Sequence, residues 1–190
     1  MALDFIKEFI LNEEKRTPDN KLFRAKLSYA LTDLAPVISE ETMDYHYGKL
    51  YKSYVDRYNA GEGDLDFNEA GAFLHDIYFV QFTEPKRSNQ PTDAIKEFID
   101  EHYDSYDEFK DAIQKEAMSI QGSGWVYLSK NGQIKTIKNH AKRSDILLLI
   151  DWWEHAWALD YQADKAKYLN NTWRIIDWTV INARLSVSKT

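Results

Sequence analysis

Four residues that are able to bind a metal ion stand in apolar, aromatic stretches of the chain. Asp151 and His155 lie four positions apart in the segment DWWEHAW. His46 in YHYGK and His75 in AFLHDIYF lie in segments whose pattern indicates buried helices. Three imidazoles and one carboxylate would suit a single redox-active ion, so the sequence predicts a mononuclear metal centre.

The composition restricts the other possibilities. The 190-residue chain has no cysteine, which excludes disulfides, thiolate metal sites and cysteine nucleophiles and leaves nitrogen and oxygen as ligand atoms. Its formal net charge of −7 disfavours a general nucleic-acid-binding protein, although a few local lysines are able to attract a small anion. There is no apolar run of about 20 residues and no leader pattern, so we predict no membrane association and a cytoplasmic location.

The elements that would position these side chains begin with an amphipathic extension, which we assign to residues 1–26. Residues 27–84 are predicted to form a helical hairpin domain. One helix, with Ser39 as its N-cap, is expected over residues 39–58, and a second over residues 66–82. The segment NAGEGD between them is short and contains glycine, so the two helices should lie antiparallel.

Residues 92–190 are predicted to form an α+β domain behind the proline-containing boundary EPKRSNQPTD. Residues 92–120 have the pattern of two acidic amphipathic helices. The segment WVYLSKNGQIKTIKN predicts a β-hairpin, and the apolar segment 145–150 predicts a third, central strand that leads into Asp151. A final helix is expected over residues 165–185. The predicted fold class is therefore α+β, with an amino-terminal antiparallel helical hairpin followed by a carboxy-terminal α/β half that contains a small three-stranded antiparallel sheet.

Four segments of the chain, in the same order, resemble the iron/manganese superoxide dismutase family. They are LSYALTDLAPVISEETMDYHYGKLYKSYV, FNEAGAFLHDIYF, GSGWVYL, and DWWEHAWALDY with the following YLNNTWRIIDW. The resemblance spans residues 27–185 and implies that superoxide is the substrate, dismutated by redox cycling of one iron or manganese ion per chain. It also implies that His46, His75, Asp151 and His155 are the metal ligands.

The resemblance further implies roles for residues around the metal. Tyr54, eight residues after His46, matches the family's gateway tyrosine and is expected to relay protons. His140 is expected to contact metal-bound solvent, since Gly71 lacks the side-chain amide that many family members have at its position. Further roles are implied for an aromatic shell (Trp125 and Trp153), for a carboxylate that bonds the ligand histidine of the partner subunit in a homodimer (Glu154), and for cations that steer superoxide (Lys49 and Lys165).

Some positions depart from the family pattern. The family commonly has a histidine at the position of Leu50 and a tyrosine at the position of Ala158, paired at the dimer interface beside the gateway. Two alternatives therefore stay open. One is a family relative with impaired catalysis that serves as a metal-binding, structural or interaction subunit, and the other is a non-haem iron enzyme of other oxygen chemistry, such as peroxide turnover. Iron and manganese also stay open, because both fit the same ligands. The remaining histidine, His102, is interpreted as a solvated helix residue.

Overall fold

A helical hairpin precedes two further helices, a three-stranded antiparallel sheet and a helical carboxy-terminal segment. This arrangement, seen in a computed structural model that describes residues 19–187, confirms the predicted α+β class. The predicted extension over residues 1–26 lies mostly outside the described residues, and the domain limits at residues 27–84 and 92–190 stay predictions. None of the described helices has the length and apolar character that a membrane crossing requires.

The first arm of the helical hairpin has three parts that follow one another directly, α1 (Glu40–Met43), a π-helix (Asp44–Tyr51) and α2 (Lys52–Ala60). The side chain of Ser39 accepts a hydrogen bond from the backbone N–H of Thr42, as expected of an N-cap. The helical pattern of the sequence therefore locates this segment correctly, but it does not reveal the π-helix.

The second helix of the hairpin is α3 (Leu65–Val80), within two residues of the predicted limits. Gly61 ends α2 in the left-handed conformation, with a φ of 70°, which glycine adopts without steric strain. Asp64 then caps α3, since its side chain accepts a hydrogen bond from the backbone N–H of Phe67 at 3.0 Å. These two signals explain how a short connection returns the chain antiparallel to α2.

The two acidic amphipathic segments form α4 (Asp93–Tyr103) and α5 (Tyr106–Ser119), as predicted. Their apolar faces include Ile95 on α4 and Phe109 on α5, both fully buried. His102 lies exposed on α4, with its ring Nδ1 at 2.8 Å from the carbonyl oxygen four residues earlier. It takes no part in the metal centre described below.

The sheet contains β1 (Gly124–Ser129), β2 (Ile134–Lys138) and β3 (Ile146–Asp151). The predicted β1–β2 hairpin is confirmed, and Gly132 in its turn has a φ of 81°. The strand order is β2-β1-β3, so β1 is the central strand and the expectation that segment 145–150 is central was wrong.

Side chains, rather than a fourth strand, bond the outer edge of β3. The Gln81 amide donates to the carbonyl oxygen of Leu149 and accepts from the N–H of Leu149 at 3.2 Å. Arg184 donates to the Leu147 carbonyl at 2.8 Å and to Oε1 of Gln81 at 3.1 Å. Because these buried side chains satisfy the backbone groups of β3, an apolar strand is able to lie at the border of the sheet.

The carboxy-terminal segment is divided, so the expectation of one helix over residues 165–185 was wrong. It contains α6 (Ala158–Tyr161), α7 (Lys165–Thr172) and α8 (Trp178–Val187), with a 3₁₀ turn between α7 and α8. The break follows from tertiary pairing. Ile176 forms a β-bridge with Phe82, and the N–H of Asp177 donates to the carbonyl oxygen of Gln81 at 2.8 Å. These bonds replace the helical bonds that a continuous helix would make.

Candidate metal centre

The structure brings the four predicted ligand residues together between the hairpin and the sheet. His46 comes from the π-helix, His75 from α3, Asp151 from the end of β3, and His155 from the 3₁₀ turn Glu154–Ala156. One ligand atom of each residue lies within 4.8 Å of those of the others. Three of the residues are buried and His155 is half-buried.

The two oxygens of the Asp151 carboxylate have different surroundings. Oδ1 accepts the backbone N–H of Trp153 at 2.8 Å. Oδ2 faces Nε2 of His155 at 3.1 Å, His46 at 3.2 Å and His75 at 3.8 Å. Burial would raise the pKa of Asp151, but the adjacent His155 and His46 lower this pKa below its ordinary value. The carboxylate is therefore ionised at neutral pH and directs one oxygen into the cluster.

The ring nitrogens of His46 and His75 that face this oxygen have no hydrogen-bond partner among residues 19–187. Burial lowers the pKa of His46 to about 4 and lowers the pKa of His75, so both rings are neutral at neutral pH. Nδ1–H of His75 donates to the carbonyl oxygen of Gly71 at 2.6 Å, which leaves a lone pair on Nε2. Nε2 of His46 approaches Asp151 without hydrogen-bond alignment, and both Nε2 atoms are buried and unpaired.

A cation would remove the cost of this arrangement. Two buried, unpaired ring nitrogens beside a buried carboxylate destabilise the folded chain unless something binds them. Three imidazoles and one carboxylate are a nitrogen and oxygen ligand set that suits iron or manganese. The residues present therefore fit the ion that the sequence predicts.

Buried tyrosines hold the backbone of Asp151. The hydroxyl of Tyr168 donates to the carbonyl oxygen of Asp151 at 3.1 Å, and the hydroxyl oxygens of Tyr78 and Tyr168 are 3.0 Å apart. On the other side of β3, Trp125 lies opposite Asp151 in the register of β1 and β3. The sequence pattern gives no sign of this hydroxyl contact.

Tyr54 and His140 lie beside the four predicted ligand residues and touch each other. Nε2 of His140 is 3.1 Å from the hydroxyl oxygen of Tyr54, and Nε1 of Trp125 is 3.2 Å from Nδ1 of His140. The ring of Tyr54 is 5.4 Å from that of His75, and the ring of Trp153 stacks on His140 at 4.5 Å. Burial raises the pKa of Tyr54 to about 12, so its hydroxyl is protonated at neutral pH and able to donate.

The π-helix explains how His46 and Tyr54 reach the same site. In a regular α-helix a separation of eight residues corresponds to about 800° of rotation, which is about 80° beyond two full turns. One extra residue in a π-type turn leaves about seven α-helical steps, or about 700°, so the two side chains return to nearly the same face. Both rings accordingly contact His75, with centroid distances of 5.0 and 5.4 Å.

Two residues of this site were not identified as contacts from the sequence. The ring of Phe67 lies 4.7 Å from that of His140 and 6.0 Å from that of Tyr54. Gly71 lies so close to Tyr54 that a Cβ atom there would be 3.0 Å from its ring. Phe67, Gly71 and His75 are spaced by four residues on α3, and this spacing on one helical face was the signal available in the sequence.

The residues predicted for the partner contact and for anion steering, Glu154, Lys49 and Lys165, are exposed or half-buried. Glu154 is exposed, and no other described residue bonds to its carboxylate. Lys49 is exposed and forms an ion pair of 3.1 Å with Asp44. The ammonium group of Lys165 lies over two indole rings, those of Trp152 and Trp157, at 5.5 and 4.9 Å.

Two family models match this chain. The model of the alpha-hairpin domain of iron/manganese superoxide dismutases matches residues 23–64. The model of the C-terminal domain of iron/manganese superoxide dismutases matches residues 91–184. The first match contains His46, and the second contains Asp151 and His155.

Whole-chain relatives agree with these matches. The chain is 36% identical to an iron superoxide dismutase of Bacteroides fragilis, over 84% of this chain and 97% of that protein. It is 35% identical to a manganese/iron superoxide dismutase of Porphyromonas gingivalis, over 83% and 96%. It is 30% identical to a probable iron superoxide dismutase of Bacillus subtilis, over 90% and 71%. With these matches and a centre of three histidines and one aspartate, the chain belongs to the iron/manganese superoxide dismutase family.

Proposed function

We propose that this protein converts superoxide into dioxygen and hydrogen peroxide at one iron or manganese ion, held by His46, His75, Asp151 and His155. The observation that carries the proposal is the convergence of these four side chains, with two unpaired ring nitrogens facing a buried carboxylate. When bound, the ion supplies the redox couple, since it accepts an electron from one superoxide and gives an electron to the next. Membership of the family supports the same reaction.

The surrounding residues would deliver protons and exclude water. Formation of each hydrogen peroxide consumes two protons, and the protonated hydroxyl of Tyr54 is a donor beside the centre. His140 is hydrogen-bonded to this hydroxyl and links it to the interior of the protein. Trp125 is fully buried, and Trp153 stacks on His140, so both restrict the access of bulk water.

Lys165 is the stronger of the two proposed steering cations. In the described part of the chain no carboxylate pairs with its ammonium group, whereas Lys49 is partly neutralised by Asp44. A local positive charge at the mouth of the site would attract superoxide in spite of the net charge of −7, and moderate salt would screen the distant acidic groups.

Two neighbouring features, at His155 and Glu154, support the proposal of a homodimer. Nδ1 of His155 has no hydrogen-bond partner among the described residues, although metal-binding histidines generally donate their second ring N–H to an acceptor. Glu154 presents an exposed carboxylate beside it. In a two-fold symmetric dimer, each Glu154 would accept a hydrogen bond from the ligand histidine of the partner subunit.

The proposal is tested by reconstituting the purified chain separately with iron and with manganese. We expect about one ion per chain and superoxide loss far above that caused by the same amount of free metal, in at least one of the two forms. The more active form would identify the metal. The cytoplasmic location and the absence of nucleic-acid partners stay predictions.

One observation favours a second candidate, the family relative with impaired catalysis. Leu50 and Ala158 are both half-buried and cannot form the polar pair that the family commonly has at these positions. Full metal occupancy with negligible superoxide loss in both metal forms would favour this candidate over the proposed enzyme. Peroxide turnover by the iron form, without superoxide loss, would favour the non-haem iron alternative.

A further inference from the structure

We infer that Trp125 holds His140 in its Nε2–H tautomer, so that Tyr54 accepts a hydrogen bond from His140 and must direct its own hydroxyl proton elsewhere. Trp125 is thus a positioning residue that acts through His140. The inference rests on the proposed function for its meaning, because Tyr54 is the proposed proton donor. The hydrogen-bond geometry of Trp125, His140 and Tyr54 does not depend on whether the protein turns over superoxide.

The first step concerns the contact between Trp125 and His140. Nε1 of Trp125 lies 3.2 Å from Nδ1 of His140, in a hydrogen bond between two buried side chains. An indole nitrogen is a donor only, because it has no lone pair for accepting a hydrogen bond. Nδ1 of His140 must therefore be the acceptor, which excludes a proton on this nitrogen.

The second step follows from the number of protons on an imidazole. With Nδ1 as an acceptor, the single proton of the ring lies on Nε2. Nε2 faces the hydroxyl oxygen of Tyr54 at 3.1 Å, so His140 donates and Tyr54 accepts. A glutamine amide would have two N–H groups to share between two acceptors, whereas His140 has one.

The third step concerns the orientation of the ring. Turning the His140 ring over would place carbon atoms against Trp125 and Tyr54 and would lose both hydrogen bonds. The ring also lies between two aromatic side chains, stacked on Trp153 at 4.5 Å and packed against Phe67 at 4.7 Å. Packing and hydrogen bonding therefore favour one orientation of the ring, and with it one tautomer.

The two hydrogen bonds that join Trp125, His140 and Tyr54 therefore have one fixed direction. Trp125 donates to His140, and His140 donates to Tyr54. Of these three side chains, only Tyr54 then has a proton left to donate to another acceptor. The resemblance to the family predicts that His140 contacts metal-bound solvent. In this arrangement the Nε2–H of His140 already donates to Tyr54. Of these three side chains, Tyr54 is therefore the one that is able to donate a proton toward the metal centre.

The inference is tested by nitrogen NMR on the full ¹⁵N-labelled chain loaded with Zn²⁺ as a diamagnetic probe. Signals of His140 are identified by their loss in H140Q. We expect a protonated Nε2 and an unprotonated Nδ1 in the wild type. W125F should show a measurable population with a proton on Nδ1, since the indole N–H that donates to this nitrogen is gone.

The matched control is W153F, which removes a buried indole N–H that no described residue accepts, so the tautomer of His140 should not change. Y54F should also keep the wild-type tautomer. A proton on Nδ1 in the wild type, or an unchanged tautomer in W125F, would overturn the inference.

A second measurement covers the case in which W125F does not fold. Neutron diffraction from manganese-loaded wild-type crystals locates the deuterons directly. Deuterons on Nε2 of His140 and on the far side of the Tyr54 hydroxyl are expected, and a deuteron on Nδ1 would reject the inference. Failure of superoxide dismutation with this tautomer intact would reject the proposed function alone.

Discussion

At the scale of single residues, Asp151 combines two tasks in one carboxylate. Oδ1 is held by the backbone N–H of Trp153, so the side chain has a fixed orientation before any ion arrives. Oδ2 is then the atom that faces the three histidines. The backbone carbonyl of the same residue is held by Tyr168, which fixes the end of β3. A ligand that is fixed in advance loses little conformational freedom when it binds.

Replacement of Asp151 by alanine should reduce the bound metal from about one ion per chain to nearly none. The variant loses the carboxylate whose charge offsets that of the ion and leaves only neutral imidazoles. Metal analysis of the purified protein measures the effect. D145A removes a carboxylate at the opposite end of the same segment and should retain metal, and full occupancy in D151A would refute the ligand assignment.

Replacement of Tyr54 by phenylalanine should leave the metal content intact and lower turnover. A sole general acid typically contributes about 10²–10⁴-fold, but water is able to replace part of the lost donor, so we expect about tenfold. Stopped-flow kinetics of superoxide decay would also reveal altered product inhibition. Y45F, on an exposed tyrosine of the π-helix, is the control, and unchanged kinetics in Y54F would remove the assigned role.

At the scale of elements, the close approach of α2 and α3 depends on Gly71. A Cβ atom at this position would lie 3.0 to 3.2 Å from three atoms of the Tyr54 ring, and this ring is held by His140 and Phe67. Alanine would favour the helix by roughly 1 kcal/mol, whereas overpacking typically costs about 1–3 kcal/mol. The net loss of stability is therefore about 0–2 kcal/mol, and the ring of Tyr54 has to move.

We therefore expect G71A to fold and bind metal with a thermal midpoint lowered by at most about 8 °C, while its dismutation rate falls. A crystal structure of the variant should show Tyr54 displaced from His140. G48A is the control, because a Cβ atom at Gly48 would meet only the flexible carboxylate of Asp44, at 3.1 Å. A wild-type position of Tyr54 in G71A would contradict the prediction.

The outer edge of β3 depends on the side chain of Gln81, which pairs the backbone groups of Leu149. Q81A would leave the buried N–H and C=O of Leu149 without partners, and each unpaired group costs about 1–3 kcal/mol. We expect the free energy of unfolding to fall by at least about 2 kcal/mol, measured by urea denaturation with metal bound at equal occupancy. Q121A, on an exposed glutamine, should change the free energy of unfolding little. A wild-type midpoint for Q81A would show that the hydrogen bonds between Gln81 and Leu149 are dispensable.

The sequence predicts these elements well where local signals act alone. Ser39 and the segment NAGEGD mark the ends of the hairpin helices, and the four ligand types appear in an order that resembles one family. Prediction from the sequence fails where contacts between residues far apart in the chain determine the structure. The apolar pattern of segment 145–150 cannot reveal that Gln81 takes the place of a neighbouring strand, nor can the helical pattern near Ile176 reveal its bridge to Phe82. The π-helix covers eight residues, which is too short a stretch to leave a periodic signal of its own in the sequence.

At the scale of the whole molecule, the exposed edge at Glu154 should decide the oligomeric state. If each Glu154 bonds the ligand histidine of the partner subunit, a dimer contains two such bonds, each worth about 1.5–3 kcal/mol. E154A should therefore raise the dimer dissociation constant by at least about 100-fold. Sedimentation analysis at micromolar concentration measures it. E101A on α4 should leave the mass unchanged, and a wild-type dissociation constant for E154A would place the interface elsewhere.

The position of the ligands in the chain also has a consequence for folding. His46 and His75 belong to the hairpin, whereas Asp151 ends the last strand of the sheet and His155 lies just after it, so one ion would tie together segments that are far apart in sequence. Such an ion acts as a removable cross-link in a protein without cysteine, since it restricts the unfolded chain much as a disulfide does. Metal supply would then govern how long the protein survives in the cell as well as how fast it works.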